Sequence, residues 1–330
     1  MASEPSAEGI RIDHHLAEPT DQEVRRELRE HLGRTPPALP SRYFYDDHGS
    51  TLFEAITELP EYYQTRTEAA LLRRIAADVV ARTGARELVE LGSGAATKSR
   101  ILLDAMRDAG QLDVYVPVEV SEGILRRTAQ ELRAEYPGLR VHGLVADFVR
   151  DLGEIPEGGA ARLVAFLGGT IGNLDPDTTA LSLLRHLHDA MSPRDRLLMG
   201  SDWIKDPAVI ERAYNDAQGV TAEFNLNILR VMNRRFDADF DPDAFSHRAF
   251  FEPENRWIEM RLAARRPQRV HFRHVDQTLE LDAGDEILTE ISTKYDRERL
   301  ETLYAQTGFE LEALYLDDDA YFALSLARPV

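Results

Sequence analysis

The sequence predicts an α/β protein built on a doubly wound, mostly parallel sheet that ends in an antiparallel hairpin. Short apolar runs alternate with amphipathic helical stretches between residues 87 and 201. A glycine turn follows the first of these runs, and two apolar runs flank Asp317-Asp318-Asp319 near the C-terminus. Strands that alternate with helices are typical of parallel βαβ units with a helical layer on each face of the sheet.

Each element of this sheet has its own signal. Thr65-x-x-Glu68 has capping-box spacing and precedes apolar residues at 71, 72, 75, 79 and 80, which predicts a helix from Thr65. Strands are predicted at residues 87–91, 114–120, 139–145, 162–167 and 195–201. Helices between them are predicted around 102–106, at 122–136 and at 177–191. The chain then closes with a helix at 296–307 and with strands at 309–316 and 321–327, which form the hairpin.

Two regions lack this rhythm. Residues 1–64 hold a predicted helix at 21–31 and an aromatic-rich stretch from Tyr43 to Tyr63 with little helix or strand pattern. After a predicted helix at 207–218, residues 230–237 and 250–275 alternate in polarity and predict antiparallel strands. The region that follows the fifth predicted strand is therefore interpreted as an inserted antiparallel piece.

Composition excludes several classes of protein. The chain has 39 Lys and Arg against 58 Asp and Glu, and its formal net charge of −19 would repel a phosphate backbone. It has no cysteine, so disulfides, thiolate metal sites and cysteine nucleophiles are excluded. Met1 to Thr20 lacks the layout of a secretory signal, and no apolar run approaches the roughly 20 residues that span a bilayer. We expect a cytoplasmic protein, a monomer, that binds neither nucleic acid nor membrane.

A glycine loop, Glu90-Leu91-Gly92-Ser93-Gly94, lies where the first predicted strand of the sheet meets its helix. An open parallel sheet offers its ligand crevice at such a place. A dinucleotide fingerprint would need a third glycine where Thr97 stands, and a phosphate-binding P-loop would need that same glycine before Lys98-Ser99. S-adenosylmethionine fits the loop better, because it has no phosphates to bind.

The ends of the neighbouring strands supply the other contacts that this cofactor needs. The loop glycines let the backbone approach its amino acid end, and Lys98 is placed to pair with its carboxylate. Glu119 closes the second strand and is placed for the ribose diol. Asp147 and Phe148 follow the third strand and are placed for the edge and the face of the adenine.

Several strings, some of them outside this core, resemble a single enzyme family. They are Phe44-Tyr45-Asp46, Leu59-Pro60-Glu61-Tyr62-Tyr63, the glycine loop, Phe166-Leu167-Gly168 with Thr170-Ile171-Gly172-Asn173-Leu174, and Leu288-Thr289-Glu290-Ile291-Ser292. From about residue 35 to the C-terminus the chain resembles the L-histidine Nα-methyltransferases of ergothioneine biosynthesis. The resemblance implies a class I methyltransferase Rossmann-like sheet from residues 65–205 and 291–330, and a discontinuous α+β substrate-binding domain from residues 1–64 and 206–290. It also implies transfer of three methyl groups from S-adenosylmethionine to the α-amino group of L-histidine. The product would be hercynine, in the first step of that pathway.

The resemblance also implies roles for individual residues. Tyr62 and Asn173 would orient the amine and are the expected catalytic residues, and Asn173 and Tyr214 would bind the carboxylate. Glu290 and Ser292 would receive the imidazole. The remaining implied contacts are Met260 in the imidazole pocket, and Gly92, Lys98, Glu119, Asp147 and Phe148 on the cofactor. The chemistry of a methylated ammonium, and not the resemblance, suggests Tyr45 and Phe53 as its cation–π partners. Glu119 stands where a shorter Asp is expected in relatives.

The chemistry of the reaction bears on the catalytic residues. An α-ammonium must lose a proton before its nitrogen can attack a methyl group. No His or Lys in the matching strings is an obvious strong base, so we expect orientation by Tyr62 and Asn173 to do most of the catalytic work while protons leave through water. A carboxylate at Glu290 would favour a side chain that donates a proton.

Other hypotheses stay open on the residues alone. The same fold could act on another amino acid, such as tryptophan. A nicotinamide dehydrogenase is disfavoured by Thr97 and by the terminal hairpin, and an amino acid binding module without catalysis is disfavoured by the intact glycine loop. No metal is expected: Asp237-x-Asp239-x-Asp241 has Pro242 at the glycine position of a calcium loop, and no His-Glu-x-x-His occurs.

Overall fold

A computed structural model describes residues 9–17 and 20–330 as an α/β structure with thirteen strands and nine α-helices. The strands are β1 (Ile10–His14), β2 (Glu87–Leu91), β3 (Val114–Glu119), β4 (Arg140–Val145), β5 (Arg162–Phe166), β6 (Arg196–Asp202), β7 (Phe245–Glu252), β8 (Trp257–Ala264), β9 (Gln268–Phe272), β10 (Gln277–Leu281), β11 (Glu286–Thr293), β12 (Phe309–Leu316) and β13 (Phe322–Pro329). The helices are α1 (Asp21–Leu32), α2 (Asp47–Thr57), α3 (Gln64–Thr83), α4 (Ser99–Asp108), α5 (Glu122–Glu135), α6 (Thr179–Ala190), α7 (Pro207–Tyr214), α8 (Val220–Phe236) and α9 (Arg297–Gln306). Within these described ranges no helix is both long and apolar enough to cross a membrane.

The elements divide into two compact units. Unit 1 comprises residues 9–17, Arg66–Trp203 and Tyr295–Val330, and unit 2 comprises residues 20–65 and Ile204–Lys294. The sequence division placed residues 1–64 together, whereas β1 pairs with β4 of unit 1 in parallel register. Residues 1–8, 18 and 19 of that predicted domain lie outside the described residues.

One eight-stranded sheet runs through unit 1, in the order β1-β4-β3-β2-β5-β6-β13-β12. The strands from β1 to β6 are parallel, and β13 runs antiparallel to both β6 and β12. The predicted doubly wound sheet with a terminal hairpin is therefore confirmed. Because β2 lies between β3 and β5, the strand order reverses at β2, and the loops at its carboxyl end face a crevice.

Alternating side chains of the sheet build two apolar cores in unit 1. Leu88 belongs to the core that α3, α4 and α5 cover, and Val89 and Leu91 belong to the core on the opposite face, under α6 and α9. All five residues of β2 are buried, as expected for a central strand covered on both faces. The glycine loop that follows β2 therefore starts from a rigid position.

Unit 2 contains a three-stranded antiparallel sheet, β11-β8-β7, and a separate β9-β10 hairpin. Its long helix, α8, corrects the sequence prediction of a strand at 230–237. Phe224, Ile228 and Val231 are buried at spacings of four and then three residues, which is the pattern of a helix face and not the alternation of a strand. The predicted window was too short to show this period, and it ended at Asp237, whose left-handed φ of 48° caps the helix.

The aromatic-rich stretch of unit 2 also differs from expectation, because residues 47–57 form α2. Asp46 is its N-cap, with a side-chain oxygen that accepts the Gly49 N–H at 2.8 Å. A Cβ at Gly49 would lie 1.7 Å from the Phe44 carbonyl oxygen, so the turn into the helix requires glycine. The cap, and not a hydrophobic period, is the signal that marks this helix.

Candidate active site

The glycine loop of unit 1 is a tight turn between β2 and α4. Gly92 and Gly94 have φ values of 72° and 49°, which L side chains rarely adopt, and the Gly92 N–H donates to the Val118 carbonyl oxygen at 2.9 Å. The backbone at the carboxyl end of β2 is therefore not covered by side chains at Gly92 and Gly94, and it is held against β3. A ligand can approach it closely, as the sequence predicts.

Glu119 at the end of β3 is fixed against this loop. Its Oε2 accepts the Gly94 N–H at 2.9 Å, and its Oε1 accepts the Ser121 N–H at 3.0 Å. A carboxylate offers about four lone-pair positions, so each oxygen keeps one for a further donor. Two adjacent hydroxyl donors, as in a ribose diol, fit that remaining capacity.

Asp147 and Phe148 follow β4 on the same edge of the sheet. Asp147 Oδ1 accepts the Val149 N–H at 2.9 Å, which fixes the carboxylate in the loop. The Phe148 ring packs edge-on against Phe166 with centroids 5.4 Å apart, and it would lie 3.5 Å from a Cβ at Gly92. An aromatic face therefore adjoins the glycine loop, where a flat base can stack.

Lys98 shares a buried carboxylate with the loop after β5. Its ammonium donates to Glu68, whose side chain is 1% exposed and whose oxygens accept the Gly168 N–H at 2.8 and 3.0 Å. The Lys98 side chain is 22% exposed, and an ammonium has three donors, so a ligand carboxylate can share it. The sequence assigned Glu68 to a capping box, but α3 begins at Gln64 and the Glu68 carboxylate faces Lys98. Glu68 is a site residue that the sequence analysis missed.

Glu90 of the loop string carries a second unassigned carboxyl group. It is 4% exposed and accepts hydrogen bonds from Ser99 Oγ and Tyr115 OH. Burial raises the pKa of Glu90 to about 7, although its two donors oppose the shift. The carboxyl group therefore titrates near neutral pH behind the glycine loop.

Asn173 ends a short 3₁₀ turn, Thr170–Asn173, that follows β5. The turn is entered through Gly168 and Gly169, with φ values of 84° and 67°. The Asn173 side chain is partly exposed, and it makes no hydrogen bond to the residues that the structure describes in unit 1. Its amide can therefore both donate and accept toward a ligand.

Three aromatic residues of the predicted substrate site form one cluster in unit 2. The rings of Tyr45 and Phe53 meet edge-on at 5.6 Å, and Phe53 meets Tyr62 at 6.4 Å. Phe224 of α8 supports both Tyr45 and Phe53, at 5.8 and 6.1 Å. The cluster gives unit 2 the aromatic surface that a methylated ammonium favours.

Glu290 and Met260 lie opposite each other across β11 and β8. A β-bulge at Thr289 precedes this pair, and it switches the buried positions of β11 from 287 and 289 to 290 and 292. Glu290 is 9% exposed and Met260 1%. The sequence alternation alone predicts a solvated Glu290, and the bulge is the reason that it is buried together with Ser292.

Tyr214, the last residue of α7, is buried near this strand. Its hydroxyl oxygen lies 3.1 Å from both Gln64 Nε2 and Lys294 Nζ. Burial raises the pKa of the Tyr45 hydroxyl, and Glu290 and then Tyr214 raise it further, so these groups are close in space. The Tyr45 residue as a whole is 49% exposed, so part of its side chain is accessible to a ligand.

A buried polar network lies behind Tyr214. His247 Nε2 donates to the Tyr214 carbonyl oxygen at 2.8 Å, because Nδ1 accepts from Asn225 Nδ2 at 2.9 Å. Asn225 also donates to the Arg261 carbonyl oxygen at 3.1 Å and accepts from Thr289 Oγ1 at 2.7 Å. Burial lowers the pKa of His247, which favours the neutral ring that this network requires. The network links α7, α8, β7, β8 and β11.

The doubly wound sheet of unit 1, its glycine loop and its strand-end carboxylates define an S-adenosylmethionine-dependent methyltransferase. The residues fit the cofactor, since glycine backbone, Lys98, the spare capacity of Glu119 and the Phe148 face match its parts. The chain belongs to the family of histidine-specific, S-adenosylmethionine-dependent methyltransferases, whose model matches residues 24–329. The predicted fold, enzyme class, cofactor and histidine specificity are thereby confirmed, and the roles of individual site residues stay predictions.

Proteins named for the same chemistry are similar over most of the chain. It is 46% identical over 311 residues to a histidine N-alpha-methyltransferase of Mycolicibacterium smegmatis, covering 94% of this chain and 96% of that protein. It is 44% identical over 319 residues to a histidine N-alpha-methyltransferase of Mycobacterium tuberculosis, covering 96% and 99%. Ergothioneine biosynthesis protein 1 of Neurospora crassa is 32% identical over 294 residues, which cover 83% of this chain and 31% of that protein.

Proposed function

We propose that this protein transfers three methyl groups from S-adenosylmethionine to the α-amino group of L-histidine. The product is hercynine (Nα,Nα,Nα-trimethylhistidine), and the reaction is the first step of ergothioneine biosynthesis. The observation that carries the proposal is the buried carboxylate of Glu290, set opposite Met260 in unit 2. A buried acceptor beside an apolar wall suits an imidazole N–H. An apolar substrate side chain would leave this buried acceptor without a donor. The names of the two mycobacterial relatives support the same reaction.

Residues of unit 1 bind the cofactor in this proposal. The cofactor, when bound, supplies an electrophilic methyl group on a sulfonium. Gly92 and Gly94 admit its amino acid end, and Lys98 binds the carboxylate. Glu119 accepts the ribose hydroxyls with the lone pairs that the backbone leaves free, and Asp147 and Phe148 bind the adenine, the latter through its ring face.

The predicted substrate residues bind L-histidine. Tyr62 and Asn173 orient the amine, Asn173 and Tyr214 bind the carboxylate, and Glu290 and Ser292 bind the imidazole. The amine must be deprotonated and its lone pair aligned, so Tyr62 and Asn173 contribute by orientation, and the proton leaves through water. The repeated reaction removes N–H donors but keeps the positive charge. The aromatic faces of Tyr45 and Phe53 bind such a cation without needing a donor.

The test is methylation of a mixture of the common free L-amino acids with S-adenosylmethionine, with products identified by mass. Histidine should gain one, two and finally three methyl groups, all on the α-nitrogen by fragmentation. Nα,Nα-dimethyl-L-histidine should accept a single further methyl group. Methylation of tryptophan in place of histidine, or of a ring nitrogen, would refute the proposed substrate or position. Accumulation of a dimethylated product would refute trimethylation.

We also propose that the protein acts as a cytoplasmic monomer. Support comes from composition: the chain has no cysteine, and its net charge of −19 favours solubility and self-repulsion. Light scattering after size exclusion should give a mass near 37.3 kDa, and fractionation of cells should place the protein in the cytosol. A dimer mass, or recovery with membranes, would contradict the proposal.

A further inference from the structure

Lys294 is fully buried at the end of β11 in unit 2. Its ammonium donates to Ser292 Oγ at 2.8 Å and to Tyr214 OH at 3.1 Å. Glu290, Ser292 and Lys294 recur every second residue, which places them along one side of the chain. The sequence holds 39 basic residues of which only three are lysines, so this position departs from a strong preference for arginine. One ammonium thus joins two hydroxyls that the proposed function assigns to opposite ends of the substrate.

The hydroxyl of Tyr214 is held as a donor. Its oxygen accepts from Lys294 Nζ and from Gln64 Nε2, both at 3.1 Å. These two bonds use the lone pairs of the phenolic oxygen, and the hydroxyl has one proton left to donate. Among the described residues of unit 2, that proton has no acceptor. A substrate carboxylate is the acceptor that suits it.

The hydroxyl of Ser292 is likewise oriented to donate its proton. An ammonium has protons only, so the 2.8 Å contact fixes Ser292 Oγ as the acceptor and Lys294 as the donor. Ser292 is 4% exposed, and residues 20–65 and 204–294 offer no acceptor for its proton. The proton of Ser292 is therefore available to an acceptor atom of the ligand.

On the basis of the proposed function, we propose that Lys294 is a positioning residue that makes Tyr214 and Ser292 hydrogen-bond donors and so restricts the substrate to L-histidine with a neutral imidazole. One ring nitrogen then donates its N–H to Glu290, and the unprotonated ring nitrogen accepts a hydrogen bond from the Ser292 hydroxyl. An imidazolium would set an N–H against the Ser292 O–H and leave a buried donor unpaired. The same lysine directs the Tyr214 proton to the substrate carboxylate.

The proposal predicts how binding depends on pH. Isothermal titration of the full chain with L-histidine, in the presence of S-adenosylhomocysteine, should give a Kd about tenfold larger at pH 5.5 than at pH 7.5, because imidazole titrates near 6.5. The control ligand is 1,2,4-triazol-3-yl-L-alanine, whose ring keeps both imidazole nitrogens, has a third nitrogen in place of one ring C–H, and stays uncharged in this range. Its Kd should change by less than about twofold by the same reasoning. This control accounts for titration of the protein groups around the site, which are Glu290, Tyr45, Tyr214, His247 and Lys294 itself.

Two variants test the role of the lysine. Lys294→Met keeps the length of the side chain without its donors, and Lys205→Met removes a comparable 2.7 Å bond from a lysine to Tyr63 in unit 2. In Lys294→Met, Ser292 becomes able to accept from an imidazolium. The ratio of the Kd values at the two pH values should therefore fall from about tenfold to about twofold, while the Kd for S-adenosylhomocysteine stays the same. Lys205→Met should keep the full ratio.

The outcomes separate this inference from the proposed function. If the unmodified protein methylates L-histidine but binds it equally at both pH values, the inference is wrong and the proposed function stands. An unchanged ratio in a folded Lys294→Met variant also overturns it. If that variant does not fold, Ser292→Ala replaces it and should lose the ratio in the same way. Failure of the unmodified protein to methylate L-histidine at all would refute the proposed function.

Discussion

Glu68 accepts the backbone N–H of Gly168 with both carboxylate oxygens, at 2.8 and 3.0 Å. The same carboxylate holds the ammonium of Lys98, which links the first turns of α3 to the loops after β2 and β5. A Cβ at Gly200 of β6 would lie 2.2 Å from Glu68 Oε1. The position of this carboxylate therefore also requires glycine at residue 200, where any side chain would collide with it. These contacts make Glu68 the group that sets the position of the Lys98 ammonium, which we propose binds the cofactor carboxylate.

Glu68→Gln should weaken cofactor binding more than substrate binding. The amide keeps the shape but not the charge, so Lys98 loses its anionic partner and its fixed position. We expect the Kd for S-adenosylmethionine to rise by about tenfold, which corresponds to loss of one charge-assisted hydrogen bond. Titration calorimetry with each ligand measures this. Glu310→Gln, which breaks the exposed pair with Arg328 in the same unit, is the control and should change neither Kd.

Glu290→Ala should raise the KM for L-histidine far more than the KM for S-adenosylmethionine. Removal of a buried acceptor leaves the imidazole N–H unsatisfied, which costs about 1.5–3 kcal/mol, or roughly tenfold to a hundredfold in KM. Steady-state kinetics with each substrate varied in turn measures the two values. Glu280→Ala in the exposed β9-β10 hairpin should leave both unchanged. Equal increases in both KM values for Glu290→Ala would contradict the imidazole role.

Glu90→Gln should change how stability depends on pH. Burial raises the folded pKa of Glu90 from 4.5 to about 7, so its contribution to stability is present below pH 4.5 and is lost as pH rises through 7. Glutamine stays neutral and does not incur that loss. The variant should therefore gain in unfolding free energy over the unmodified protein between pH 5 and pH 8, by roughly 2–3 kcal/mol. Urea unfolding across this range measures it, and a difference independent of pH would show that Glu90 is charged throughout.

Asn225→Ala should destabilise unit 2 and impair histidine binding together. The change removes the side-chain partner of His247 Nδ1 and of the Arg261 carbonyl oxygen, and it leaves the Thr289 hydroxyl only the Met260 carbonyl oxygen as an acceptor. Buried polar groups left unpaired cost about 1–3 kcal/mol each, so we expect a loss of at least about 2 kcal/mol in unfolding free energy. Denaturant unfolding measures it, and Asn215→Ala, in a loop of the same unit, is the comparison. A variant as stable as the unmodified protein would show that the network does not contribute to the unfolding free energy.

The regular part of unit 1 was predictable because its signals are local. The strand at 309–316 agrees at both ends with β12, and each predicted parallel strand agrees within about a residue or two. The hydrophobic period and the capping residues of each element lie within the element or within a few residues of its ends. The resemblance supplied the family, and the family model confirmed it.

The errors at the candidate site have a common physical cause, which is dependence on partners far along the chain. Glu68 was assigned to Thr65 because a local partner was in reach, whereas its partners Lys98 and Gly168 are distant in sequence. No sequence signal near Lys294 predicts its bond to Tyr214, which lies 80 residues earlier in the chain. The burial of Glu290 follows from a bulge, and a bulge inverts the alternation from which exposure is predicted.

That bulge has a consequence for how substrate preference can change in this scaffold. The extra residue, Thr289, fixes the parity of every later position in β11, so one deletion there would turn Glu290 and Ser292 to the opposite face together. Exchange of a side chain at 260, 290 or 292 alters one contact and leaves the strand in register. Substrate preference can therefore change toward other amino acids by point substitution at these positions. An insertion or deletion within β11 would instead displace several contacts at once.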